Sequence, residues 1–148
     1  MDTITELLAS PDMVRVVNNF WVKGSWFLAF FGTVCVFTMV YTAVTPCDEW
    51  KMMRDPKTKD AAFASFAGAL LGFSFPVLVS VAQHHQLSKF FFAALSSAVL
   101  QLILYVMISA VGSGWRKRMN EGDVVAGKWF ALWWIIGGLG IAAVNIGL

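Results

Sequence analysis

Hydrophobic positions in this chain gather in four long blocks, roughly Ser25 to Thr45, Ala61 to Ala82, Phe90 to Val111 and Trp129 to Leu148, while charged positions gather in the connections. Each block is close to the ~20 apolar residues that a helix needs to cross a hydrocarbon core of ~30 Å. The pattern predicts an all-α membrane protein with four transmembrane helices.

The segment before the first block reads differently. Asp2 and Glu6 come early and Pro11-Asp12 interrupts it, so it lacks the basic start and continuous apolar core of a cleavable signal peptide. Thr3 and Glu6 form a capping-box pattern, and Ser10-Pro11 reads as a second helix start. Met13, Val14, Val17 and Trp21 then recur at helical spacing. Residues 1–24 are therefore expected to form a short amphipathic segment on the outer membrane surface. Residues 25–82 and 89–148 follow as two two-helix units of a single membrane domain.

Composition agrees with a lipid solvent. The chain has 148 residues, 58% hydrophobic and 14% charged, whereas soluble domains carry about 25% charged residues. Four spans leave no room for a separate aqueous domain. The net charge of +2 is no nucleic-acid signal, because the basic residues sit at helix ends. Cys35 inside the first span and Cys47 at its far end read as structural thiols.

The basic residues set the orientation. Lys51, Arg54, Lys57 and Lys59 lie in the first connection, Arg116, Lys117 and Arg118 in the third, and Lys128 begins the last span. Arg15, Lys23 and Lys89 lie on the other side. Eight against three is a positive-inside bias that puts both termini outside and loops 46–60 and 112–125 in the cytoplasm. Trp21 and Trp26 mark the outer interface, and Trp50, Trp115 and Trp129 the inner one.

A constant offset of 65 residues aligns the two halves: Ala29 with Ala94, Trp50 with Trp115, Lys51 with Arg116, Ala61 with Ala126 and Gly72 with Gly137. Two crossings per unit give both units the same orientation, hence a parallel repeat of hairpins about an axis along the membrane normal. Spans two and four carry small residues. Ala64, Gly68 and Gly72 recur every four residues, and Pro76 follows at the same spacing. Glycines so spaced let helix backbones approach closely. Pro76 cannot donate to the Gly72 carbonyl, so a kink is expected after Gly72, with Ser74, Ser80 or a neighbouring span satisfying the freed group. Gly137 and Gly138 do the same for span four. The stripe serves helix packing, or a bend lining a path, or an oligomer seam.

Chemistry is sparse. No ionisable residue lies near the middle of a span, which disfavours a proton relay or an ion-coupled carrier. Gln101 is the deepest strong hydrogen-bonding group, with Tyr105 one turn below. It serves either as a helix–helix hydrogen bond or as a polar ring in an oligomeric pore. Glu49, beside Trp50 at the cytoplasmic mouth, either binds a cation or partner or pairs with a basic neighbour. His84-His85 in the outer turn are poorly spaced for a metal. No nucleophile–base set, phosphate loop, dinucleotide fingerprint or zinc spacing is visible, so neither an enzyme nor a cofactor is expected.

The run Thr45-Pro46 with Glu49-Trp50, then Asp60-Ala61-Ala62, Ser65-Phe66-Ala67-Gly68 and Leu71-Gly72-Phe73 with Pro76, resembles the DUF350 family of small bacterial inner-membrane proteins, also grouped as UPF0719. Val99, Gln101, Leu102, Tyr105, Ala126-Gly127 and Gly137-Gly138 also fit, so the resemblance covers residues 25–148. The second half departs from it: relatives tend to carry an asparagine soon after the double glycine, where this chain has Ile141, its nearest asparagine being Asn145. The resemblance implies four spans in two repeated units, with a cytoplasmic membrane-stress protein as a plausible partner. Two readings of function follow. One is a homo-oligomeric scaffold in the lipid bilayer whose basic loops, Arg116, Lys117 and Arg118 among them, recruit that partner or anionic lipid. The other is an oligomeric channel for small solutes.

Overall fold

A chain whose solvent is lipid must satisfy its backbone internally, and helices do so within one segment. The computed structural model describes residues 11–45, 49–84 and 86–147, and these form six helices. They are α1 (Pro11–Val44), α2 (Glu49–Arg54), α3 (Lys59–Gln83), α4 (Leu87–Val111), α5 (Ser113–Asn120) and α6 (Val124–Gly147). Helices α1, α3, α4 and α6 are long and apolar enough to cross a membrane. The capping pattern at Thr3 and Glu6, the thiol of Cys47 and the second histidine, His85, fall outside the described residues.

The N-terminal surface helix expected over residues 1–24 is not a separate element where the structure describes it. Residues 11–24 are the first part of the 34-residue α1. At 1.5 Å per residue that helix is about 51 Å long, some ~20 Å more than a hydrocarbon core. The reason is local. Gly24-Ser25 is the weakest point of the run, but an isolated glycine costs a helix only ~1 kcal/mol. Ser25 also stays inside the helical ladder, donating to the Val22 carbonyl at 2.8 Å.

Helices α3 and α6 form the central pair, packed backbone to backbone. A methyl group on Gly68 would overlap Ala131, one on Gly127 the Ala61 carbonyl, and one on Gly138 the Gly72 carbonyl. The small-residue stripes of the second and fourth spans thus meet each other inside one chain, with Gly137 against Leu104 of α4. Helix α3 runs unbroken through Pro76. Neither serine serves the carbonyl that Pro76 frees: Ser74 donates to Leu70 at 2.7 Å and Ser80 to Pro76 at 2.8 Å. The Gly72 carbonyl instead lies against Gly138, where a Cα–H contact is the available partner.

Helices α1 and α4 flank this pair, and their buried positions depart from the 65-residue spacing. On α3 the buried positions include Ala61, Ala62, Ser65, Ala69, Phe73 and Val77; on α6 they are Ala126, Gly127, Phe130, Trp134, Gly138 and Ala142, each 65 residues later. There the buried positions pair at 64 instead: Phe37 and Tyr41 of α1, and Thr45 just past its end, against Gln101, Tyr105 and Ser109 of α4. A single constant offset of 65 therefore misassigns the inward face of α1 and α4. One residue turns a helix by about 100°, enough to exchange an inward position for a lipid-facing one.

At the loop end, α2 packs on α3 and α5 packs on α6. The two loops touch where Gly122, at φ 93°, lies against the Lys57 carbonyl. A side chain there would be strained by the left-handed backbone and would also strike that oxygen.

Candidate functional site

An aromatic column fills the bundle toward its loop end. Phe37 stacks on Phe73 with ring centroids 3.9 Å apart. One turn on, Tyr41 meets Trp134 edge-on at 5.3 Å and Tyr105 edge-on at 6.0 Å, and Tyr105 stacks on Trp134 at 5.6 Å. Trp134 and Tyr41 are fully enclosed. Edge-to-face and offset-stacked geometries are those that aromatic quadrupoles favour.

The column ends on a carboxyl group. Helix α2 begins at Glu49 and folds the side chain back into the bundle, leaving it 3% exposed. The Tyr41 hydroxyl donates to Glu49 Oε1 at 2.7 Å, and the Ser65 hydroxyl donates to the same oxygen at 3.3 Å. Glu49 Oε2 is buried without a hydrogen-bond partner among the described residues, as is Thr45 Oγ1. Burial pushes the Glu49 carboxyl up from an ordinary 4.5 to about 7, against the pull of its two hydroxyl donors. Pairing with a basic neighbour was the ordinary expectation for Glu49, yet its hydrogen bonds come from hydroxyls. Its neighbour Trp50 points outward, half exposed, with its ring 5.6 Å from Phe66.

Gln101 sits deeper, fully buried between α4 and α6. Its amide donates to the Trp134 backbone carbonyl at 3.3 Å. The missing side chain of Gly72 leaves the room for this bond, since a methyl there would lie 2.8 Å from Gln101 Nε2. The amide thus faces the interior of the chain. Asn145 donates to the Ser97 hydroxyl at 3.2 Å, tying α6 to α4 at the opposite end.

The basic cluster of α5 divides. Arg116 donates to the Ser109 carbonyl at 3.0 Å and so covers an open carbonyl at the end of α4. Arg118 donates from Nε to Asp123 at 2.8 Å and lies 4.3 Å over the Trp115 ring. That hydrogen bond holds the Asp123 carboxyl below its ordinary value. Lys117 is exposed, as is Arg118. Sequence reasoning found Glu49, Gln101 and Tyr105 but missed the roles of Tyr41 and Ser65. Ser65 lay in plain view in the Ser65-Phe66-Ala67-Gly68 run; Tyr41 carried no signal beyond its place in the last turn of the first block.

These features define a polytopic α-helical membrane protein with a tightly closed interior and a buried carboxyl at its loop end. The DUF350 family model, a domain of unknown function, matches residues 15–144, and the chain belongs to that family. It is similar to the UPF0719 inner membrane protein YjfL of Escherichia coli K12, with 21% identity over 130 residues, covering 88% of this chain and 97% of YjfL. The protein of the same name from Escherichia coli O157:H7 matches to the same extent. No solved structure matches the chain.

Proposed function

We propose that this protein is a non-enzymatic, homo-oligomeric scaffold of the bacterial inner membrane, with both termini outside and its basic loops presented to a cytoplasmic partner or to anionic lipid. The closed interior carries this reading. Helices α3 and α6 meet through glycines, and the deepest amide in the bundle turns its nitrogen to a backbone carbonyl. A path for ions or polar solutes needs such groups to face a lumen. The chain's large groove, about 580 Å³ between α1 and α4, is lined by Phe37, Phe73, Leu95 and other side chains that are almost all apolar, which suits lipid or another helix rather than water. Helix α1 buries few of its 34 residues within the chain, and that unused apolar surface supports assembly.

The basic side chains available for recruitment are the exposed ones. Near an anionic leaflet each is worth ~1 kcal/mol. Lys51, Arg54, Lys57, Lys59, Lys117, Arg118 and Lys128 are exposed at the loop end. Purified protein in liposomes tests the reading: no solute flux is expected, and anionic vesicles or a cytoplasmic extract should engage the loop face. Replacing Arg54, Lys57 and Lys117 by glutamine should weaken that engagement without unfolding the bundle. Solute flux through the liposomes, or engagement unchanged by the triple variant, would sink the proposal.

A further inference from the structure

We propose that Glu49, with Tyr41 and Ser65, forms a proton-binding site at the loop end, and that occupancy of this site decides whether α2 stays docked against α1 and α3. The geometry is asymmetric. One carboxyl oxygen takes two hydroxyl donors, while the other is buried with no partner among the described residues. An ionised carboxylate with a bare buried oxygen is costly, because nothing replaces the water lost from it. The neutral acid fits the pocket: its Oε1 still accepts from Tyr41 and Ser65, and only its proton seeks an acceptor. Loss of that proton to bulk solvent leaves a carboxylate whose favourable surroundings lie outside the bundle. Since Glu49 is the first residue of α2, its departure carries that helix with it.

Among the described residues, the groups that hydrogen-bond to Glu49 are uncharged hydroxyls. From α1 it is faced by Tyr41, and from α3 by the Ser65 hydroxyl. Tyr105 of α4 stands behind the Tyr41 ring, 6.0 Å from it. Lys59 and Asp60 at the start of α3, and Lys51 and Arg54 on α2 itself, are exposed. The raised titration of Glu49, to about 7, has burial as its first cause and agrees with this geometry. The site stands apart from the scaffold reading, because a bundle that recruits nothing would still carry it.

Full-length protein in lipid nanodiscs provides the test. Met52, partly buried on α2 against the core, is replaced by cysteine in a Cys35→Ala, Cys47→Ala background. Its maleimide labelling is followed through a pH titration across neutrality and normalised to the exposed Lys57→Cys. The normalised rate should rise about tenfold or more with a midpoint near 7, a fraction of the roughly 10²-fold that the shift from 4.5 allows. Glu49→Gln should remain protected throughout. Tyr41→Phe should move the midpoint to higher pH, because a lost donor disfavours the ionised form. A second readout needs no labelling variant: the infrared stretch of a protonated carboxyl, absent from Glu49→Gln, should vanish as the pH rises through neutrality. A pH-independent labelling ratio, an unchanged transition in Glu49→Gln, or a midpoint moved by added Na⁺ or Mg²⁺ would each overturn the assignment.

Discussion

The side-chain amide of Gln101 donates to the backbone carbonyl of Trp134 at 3.3 Å, tying α4 to α6 from within the bundle. The bond is long, and Gln101 Oε1 is buried without a partner among the described residues. Such bonds between membrane helices contribute ~0.6–2 kcal/mol, and the bare oxygen offsets part of that. Gln101→Leu should therefore change unfolding stability by less than about 1 kcal/mol. Gln101→Ala, which opens a void, should lose about 2 kcal/mol or more. Reversible unfolding in mixed detergent micelles measures both. A severe loss in the leucine variant would mean that the amide has a larger role than tying two helices.

The glycines form a graded series. At Gly72, Gly127 and Gly138 an added methyl strikes backbone of the facing helix; at Gly137 it strikes the movable end of Leu104; at Gly140 it meets nothing within 4 Å. Gly138→Ala and Gly127→Ala should cost ~1–3 kcal/mol, as overpacking against rigid neighbours does. Gly137→Ala should cost less, and Gly140→Ala should gain ~0.5–1 kcal/mol from helix propensity. Thermal melting in one detergent ranks them, and an order that ignores the facing atom would contradict the α3–α6 seam.

Two carboxyls give the loop end opposite pH responses. Glu49 is raised from 4.5 to about 7, so its contribution is fully present below 4.5 and is lost as the pH rises through 7. At 1.36 kcal/mol per pH unit the whole effect is about 3 kcal/mol. Asp123 is lowered from 3.8, so its contribution is present above 3.8 and is lost as the pH falls. Melting temperature should fall on both sides of an acidic optimum. Glu49→Gln should flatten the limb between about 4.5 and 7, and Asp123→Asn should remove part of the acid limb.

Arg116, Lys117 and Arg118 should separate in stability. Arg116→Ala uncovers the Ser109 carbonyl, and Arg118→Ala releases both Asp123 and the Trp115 ring. Lys117→Ala touches neither and should stay within about 0.5 kcal/mol of the parent, as exposed substitutions do. Melting curves of the three single variants check this. Asp123 also caps α6, accepting from the Val125 amide at 2.8 Å, so Asp123→Ala should lower the melting temperature further than Lys117→Ala does.

Hydropathy and charge were sufficient to find the four spans, though not the start of the first, together with the connections and the glycine stripes. Each follows from a one-dimensional quantity: length against bilayer thickness, charge against loop position, and spacing along one helix. The inward faces were not legible in the same way. In lipid a span can be apolar on every side, so little periodicity marks which residues turn toward the core. The one-residue difference between the 64 register of α1 with α4 and the 65 register of α3 with α6 is invisible without that face.

The site shows the same division. Glu49 and Gln101 stood out as polar residues in an apolar chain, and their chemistry was readable in isolation. Their surroundings were not. Tyr41 lies 8 positions from Glu49 and Ser65 lies 16, while Gln101 and Trp134 are 33 apart. Folding of α2 back into the bundle, and the approach of α6 to α3 through Gly138 and Gly72, bring these partners together. Burial then turned an ordinary loop carboxylate into one that holds its proton near neutrality, because the loss of water around a charge depends on three-dimensional enclosure and not on neighbours along the chain.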